Sequence, residues 1–239
     1  MCSSYTAVTD LAVLGMYFGV ARGPDMPLPV FDKTVWPTGL APIIRLNENG
    51  RRCAEAGNFG LVPHWAKELV YGRRTYNARS ETVARLASFR DAWKRSQRCV
   101  VPAERIYEPC YESGRAVRWA VEREDGEPMG IAGIWVDHPH LKRENGEPLL
   151  SFAMLTVSGE GHVVFQRLHA PEDEKRMVVI LDPGSYDQWL TCSPDEATQF
   201  FRQWMEPLRA YPAPLPPRKS GTPKPAADSD GDLFPPVTD

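Results

Sequence analysis

Residues 98–112 read RCVVPAERIYEPCYE. The run is rich in β-branched and aromatic residues, and the turn signal ESGR (112–115) ends it. Similar β-type runs recur along the chain: PIIRL (42–46), AVRWAVERE (116–124), GIAGIWVD (130–137), SFAMLTV (151–157) and RMVVIL (176–181). Helical spacing falls between them. SETVARLASFRDAWKRS (80–96) carries apolar residues at 83, 86, 89 and 93, with Ser80 as the expected N-cap. SPDEATQFFRQWM (193–205) offers Ser193 as cap and Pro194 in the first turn, and a shorter helix is expected over GHVVFQRLH (161–169). Short strands with interspersed helices predict an α+β domain on an antiparallel or mixed sheet. Regular βαβ alternation and a phosphate-binding glycine fingerprint are both missing, which disfavours a dinucleotide-binding or P-loop fold.

The bulk numbers suit that reading. The 239 residues are 42% hydrophobic and 25% charged, the proportions of a soluble globular protein. The run LAVLGMYFGVA (11–21) is too short to span a membrane and lacks the flanks of a signal peptide. Five cysteines, an odd number without a secretion signal, predict free thiols in a reducing, cytoplasmic compartment. No C-x-x-C pair occurs, DHPHLKREN (137–145) reads as a polar loop, and neither metal nor cofactor is expected. The net charge is −3, yet Lys67 to Arg118 holds twelve Lys/Arg against six Asp/Glu. That basic middle permits a polyanion footprint. From Arg209 onward the chain is rich in Pro, Ser and Asp, and a Pro-rich disordered tail over 209–239 is expected behind a single domain, 1–208.

Four stretches carry more polar chemistry than a fold needs. Cys2 stands directly behind Met1, so loss of Met1 leaves one residue with a thiol and an α-amine two bonds apart. In GLVPHWAKE (60–68), Pro63 holds Val62 extended, and Trp65 sits in a loop beside Lys67, where an aromatic can stack on a base or pack on the core. In YNARSET (76–82), Arg79 near a helix start suits a phosphate, and Asn77 offers both a donor and an acceptor. Glu108 lies inside an otherwise apolar run, on a face that alternation alone does not decide; turned inward, it is a proton-transfer group. His169, ahead of an acidic loop, is a second acid/base candidate.

A 1,2-aminothiol condenses with aldehydes. The amine forms an imine, and the thiol closes a five-membered thiazolidine. A ring-opened abasic site in DNA is an aldehyde flanked by phosphates. An N-terminal cysteine amidohydrolase also uses such a thiol, with its own amine as base.

The order of Cys2, GLVPHWAK, NARSET, RCVVPAERIYEP, GIAGIW, FAMLT and HAPEDEKRM resembles the SRAP (SOS-response-associated peptidase) family over about residues 1–205. The resemblance implies a β-barrel-like core with flanking helices and a basic groove leading to the N-terminal cysteine. It implies that Cys2, freed of Met1 by autoproteolysis or by an aminopeptidase, crosslinks abasic sites in single-stranded DNA. Asn77 would orient the amine and sugar, Glu108 would shuttle protons, and His169 would assist ring opening and reversal. Arg79, with Ser80 and Lys67 nearby, would hold phosphate, and Trp65 would flank the DNA path. The expected partner is single-stranded DNA bound by a monomer, nucleoid-associated in a bacterium.

The chain departs from the family pattern at Ser3 and Ser4, where Gly-Arg is common, at Phe59 and Pro109, where Trp is usual, and at APEDEK (170–175), which separates His169 from Arg176 and Met177. Val178 stands where the family has Pro. Two other activities fit the same residues: a thiol protease or amidohydrolase acting in trans, and a non-covalent single-strand binder.

Overall fold

The computed structural model describes residues 2–21, 29, 31–143 and 145–216. In chain order the elements are β1 (Ser4–Ala7), α1 (Leu11–Phe18), β2 (Thr34–Val35), β3 (Leu40–Leu46), β4 (Arg52–Phe59), β5 (Asn77–Arg79), α2 (Arg90–Lys94) and β6 (Arg98–Cys110). They continue as β7 (Val117–Arg123), β8 (Met129–Lys142), β9 (Pro148–Ser158), β10 (Arg176–Val178), β11 (Ile180–Leu181), α3 (Tyr186–Thr191) and β12 (Leu208–Pro212). The architecture is α+β on a mixed sheet, as the strand runs predict. β8, β9, β4, β3 and β6 pair in sequence, and β6 pairs back onto β8, closing a five-stranded barrel.

The length of β6 organises the molecule. At Val100 it lies between β3 and β8, inside the barrel wall. At Ile106 it has exchanged both neighbours for β1 and β7. Its first six residues are all buried, and beyond them the pattern alternates: Ile106, Glu108 and Cys110 are buried, whereas Glu104 is exposed and Tyr107 and Pro109 are half-buried. Side chains two apart share a face, so Glu108 points inward with Ile106 and Cys110. Two pairings are parallel, Asn58–Phe59 with Ser151–Phe152 and Asn77–Arg79 with Met154–Thr156, and the second delivers Asn77 to the same end of the barrel.

Aromatic packing around Phe59 fills that end. Its ring meets Tyr5 edge-on at 5.2 Å, Phe152 at 5.5 Å and Tyr76 at 5.6 Å. Gly60 follows with φ 116°, and a Cβ there would come within 2.1 Å of the Gly72 carbonyl oxygen. Only glycine permits this backbone approach, which pins the 60–68 loop to the 3₁₀ turn Leu69–Arg74.

Several expectations are corrected. The helix expected over 80–96 is a series of turns ending in the five-residue α2. Ser80 is not its cap: the Ser80 N–H donates to the Thr156 carbonyl at 2.9 Å, prolonging the β5–β9 ladder. Next to it, Glu81 is taken up by Arg176; Val83, Phe89 and Trp93 are buried in the core, whereas Leu86 is half-exposed. Tertiary pairing has overridden a weak propensity. The helices expected at 161–169 and 193–205 shrink to 3₁₀ turns, Phe165–Arg167 and Glu196–Phe200. Ser193 N–H donates to the Glu196 carboxylate and Glu196 N–H to Ser193 Oγ, but the second turn begins only at Glu196 with Asp195 at its N-cap, so Ser193 braces the approach rather than capping it.

DHPHLKREN is largely the end of β8 rather than a loop, and His138 within it is buried. The boundary expected at 208/209 falls inside β12, which pairs with the open edge of β7 and clamps Glu122 through Arg209 and Tyr211. Residues 217–239 of the expected tail lie outside the described residues. No helix of the described residues is long and apolar enough to cross a membrane, and all five cysteines are free thiols.

Candidate active site

Cys2 precedes β1 and is buried. Ser4 sits opposite Tyr107, which sets Cys2 beside the inward-facing Glu108 side of β6. Burial pushes the Cys2 thiol far above the ordinary thiol range, and the Glu108 charge pushes it further; backbone hydrogen bonding at Tyr107 offsets part of this. Its Sγ–H donates to the Ser4 carbonyl at 3.4 Å.

From β5, Asn77 Nδ2 donates to the Cys2 carbonyl at 2.9 Å. Oδ1 of the same amide is buried and has no hydrogen-bond partner among the described residues. One side chain therefore fixes the cysteine backbone and keeps an acceptor in reserve. His169 Nε2 lies 3.1 Å from Glu108 Oε2, and both side chains are almost wholly buried. The backbone forces this meeting. His169 takes φ 67°, a left-handed conformation that histidine adopts more readily than most residues. The His169 N–H donates to the Pro109 carbonyl at 2.6 Å, and Cys110 bridges Leu168 and His169. The structure thus brings together Cys2, Asn77, Glu108 and His169. The other histidine in this stretch, His162, is consumed by structure: Nε2 meets the Trp204 carbonyl at 2.8 Å, and Nδ1 accepts from Val164 and Phe165 N–H.

The expected DNA-contacting residues are placed differently. Arg79 lies two positions beyond Asn77 on β5, half-exposed, with Nη1 2.7 Å from Glu174 Oε2. Glu174 also contacts Arg176 at 2.8 Å, and the Arg176 guanidinium forks onto Glu81 at 2.8 and 3.0 Å. Trp65 is 44% exposed and edge-on to Tyr71 at 4.9 Å. Its loop is braced by His138, whose Nε2 meets the Ala66 carbonyl at 2.9 Å. Lys67 is exposed on that loop. Among the described residues no hydrogen bond or ring contact links Trp65, Lys67 or Ser80 to the four-residue cluster. The basic middle overstates the surface charge: Arg98 is buried, stacked between Trp93 at 4.1 Å and Trp189 at 4.9 Å.

Two nearby residues escape the sequence reading. Tyr76 is half-buried; burial and the proximity of Cys2 and Glu108 raise its phenol above the usual range. Its position beside Asn77 was the available signal. Glu174 was visible only as one acid among several in APEDEK.

Similarity to known proteins fits this geometry. A Bordetella bronchiseptica protein solved by X-ray crystallography is 35% identical, with a TM-score of 0.79 over 90% of this chain and 100% of its own. A Bacteroides thetaiotaomicron structure, 21% identical with a TM-score of 0.71, covers 88% of this chain and 91% of its own and shares the fold. Two curated Bacillus subtilis relatives carry the name abasic site processing protein: YoaM, 29% identical over 144 residues (57% of each chain), and YobE, 44% identical over 133 residues (55% of this chain, 56% of its own). The chain spans little more than half the length of these curated relatives. The family model described as SOS response associated peptidase (SRAP) matches residues 1–214, nearly the whole chain, and the chain belongs to that family.

Proposed function

We propose that the protein shields abasic sites in single-stranded DNA by closing a thiazolidine on the deoxyribose through Cys2, once its own hydrolysis of the Met1–Cys2 peptide has freed the amine. The observation that carries this reading is the meeting of Asn77 and Glu108 at Cys2, with His169 held against Glu108. The names of YoaM and YobE point to the same lesion.

Glu108 and His169 exchange the proton that opens the sugar to its C1′ aldehyde. The Cys2 amine, oriented by Asn77, adds to C1′, and the carbinolamine loses water to give an imine. Sγ–H then adds across the C=N bond: sulfur bonds to C1′ and the proton passes to nitrogen by way of Glu108. Aldehyde and aminothiol become thiazolidine and water, without metal or redox cofactor. Arg79 and Lys67 meet phosphates, Ser80 lies on the same edge, and Trp65 stacks on a base. The assembly works as a monomer on DNA, away from membranes, in the cytoplasm or at the nucleoid of a bacterium.

The raised Cys2 thiol favours this route over proteolysis in trans. Thiol proteases depress the pKa of their nucleophile, whereas burial and Glu108 do the opposite here. An imine route needs the neutral thiol only after the amine has captured C1′.

The test is intact mass spectrometry after incubation with an abasic oligonucleotide. The wild type is expected to lack Met1 and to gain the oligonucleotide mass less one water, in a denaturant-resistant product. Cys2→Ala is expected to give none. An adduct that survives in Cys2→Ala, or an N-terminus still bearing methionine in the active protein, overturns the mechanism.

A further inference from the structure

Arg79 does not wait open for DNA. Its guanidinium is held by Glu174 at 2.7 Å, and the other Glu174 oxygen is held by Arg176 at 2.8 Å. Arg176 is buried and cannot swing away: it also donates to the Thr156 carbonyl at 2.8 Å and forks onto Glu81. Arg176 has already gained a carboxylate partner in Glu81, whose own pKa it holds below the usual range. Glu174 is therefore not needed to neutralise Arg176. It is anchored on one side and aims its second oxygen at Arg79. Both members of that outer pair are nearly half exposed, 45% and 44%, so the contact sits at the water boundary, where exchange is easy.

We infer that Glu174 sets the affinity of the site for single strands by occupying on Arg79 the position a DNA phosphate takes. This rests on the reading of the site as one for single-stranded DNA. A phosphodiester oxygen accepts from a guanidinium N–H as a carboxylate oxygen does, and here a single Glu174 oxygen holds the Arg79 Nη1. Binding is then an exchange, with phosphate replacing Glu174 on Arg79 while Arg176 keeps the displaced carboxylate nearby. The penalty applies to every strand, intact or damaged, because both carry phosphates. Intact DNA is held weakly and leaves, whereas an abasic strand is retained by the covalent step. Glu174 belongs to the segment between His169 and Arg176 that departs from the family pattern, so the restraint arises from this chain's own sequence.

The test is reversible binding of an intact, dye-labelled single strand, followed by fluorescence anisotropy, which needs no crosslinking. An exposed ion pair is worth enough to change affinity by about two- to fivefold. Glu174→Gln is expected to tighten binding by that factor at about 50 mM salt and by less at about 200 mM, where the competing pair is already screened. In an Arg79→Ala background the same change is expected to do nothing. Glu172→Gln removes an equal charge two residues away and is expected to do less.

The inference is overturned if Glu174→Gln leaves affinity unchanged or weaker, if its effect persists without Arg79, or if Glu172→Gln matches it. Should melting show that Glu174→Gln has lost its fold, Glu174→Asp, which keeps Arg176 a partner but falls short of Arg79, must tighten binding instead. A wild-type protein that binds no single strand at all overturns the site reading and the inference together. Binding without response to Glu174 overturns the inference alone.

Discussion

Two charged regions lie within a few residues of each other and obey different physics. Around Cys2, Glu108 and His169 are sealed from water and fixed by backbone: a long strand sets one, and a left-handed residue pinned to Pro109 sets the other. Around Arg79, the chain Arg79–Glu174–Arg176–Glu81 is exposed at both ends and anchored in its middle by the buried Arg176, with charges alternating in sign. In the first region, low polarizability makes each proton's position costly to change. In the second, water and salt compete for every contact at the outer end. On the proposed function, chemistry falls to the first region and reversible affinity to the second.

The largest expected effect tests that division from the buried side. Glu108→Gln keeps the shape and removes the proton acceptor. Loss of a positioned acid/base group costs about 10²–10⁴ in rate. Single-turnover crosslinking is expected to slow by that range, the loss falling on the rate rather than on capture of the strand. If the variant bound DNA poorly and crosslinked normally once bound, the two regions would not be separable.

The sequence disclosed much of the first region and little of the second. Every β-type run in the sequence became strand, because short β-branched and aromatic runs bounded by turn residues are read directly from composition. Glu108 was legible as an acid in an apolar run, but its inward direction was not, since Pro102 and Pro109 interrupt a strand that also changes partners midway. Asn77 and His169 were found by motif. What joins them is a parallel pairing to β9 and a left-handed φ, both products of tertiary packing. The ion-pair chain was illegible for a simpler reason: Glu81 and Glu174 are 95 and two residues from Arg176, and composition assigns such acids to solvated faces. The failed helix at 80–96 has the same cause, since Glu81 serves Arg176 rather than a helix start.

An intermediate effect comes from proton linkage in the buried region. Cys2 and Cys99 are both held above the ordinary thiol range by burial. A raised folded pKa means that the native state keeps a proton the unfolded chain releases. Stability is thus full below the unfolded thiol pKa and falls as pH rises through and beyond about 8.5. The slope approaches about 1.4 kcal/mol per pH unit for each thiol. Urea unfolding between about pH 8 and pH 10 is expected to show this decline. Cys2→Ala is expected to flatten it by roughly the share of one thiol. An unchanged slope would mean that Cys2 is wet in solution, and the contrast between a dry site and a wet network would fail.

The smallest expected effect tests the exposed end. On the proposed function Arg79 makes one phosphate contact, so Arg79→Ala is expected to lower the slope of log affinity against log salt by about 0.7, the single-strand value for one contact. The affinity loss is modest, because the wild-type arginine must first give up Glu174 and its net gain is the difference between two similar ion pairs. The slope and the affinity therefore report different things. The slope counts the phosphate that Arg79 touches, whereas the affinity records what Glu174 already took. A variant that lost much affinity with no change of slope would show Arg79 acting through the fold of β5 instead, next to Asn77, and the surface network would then belong to the buried site after all.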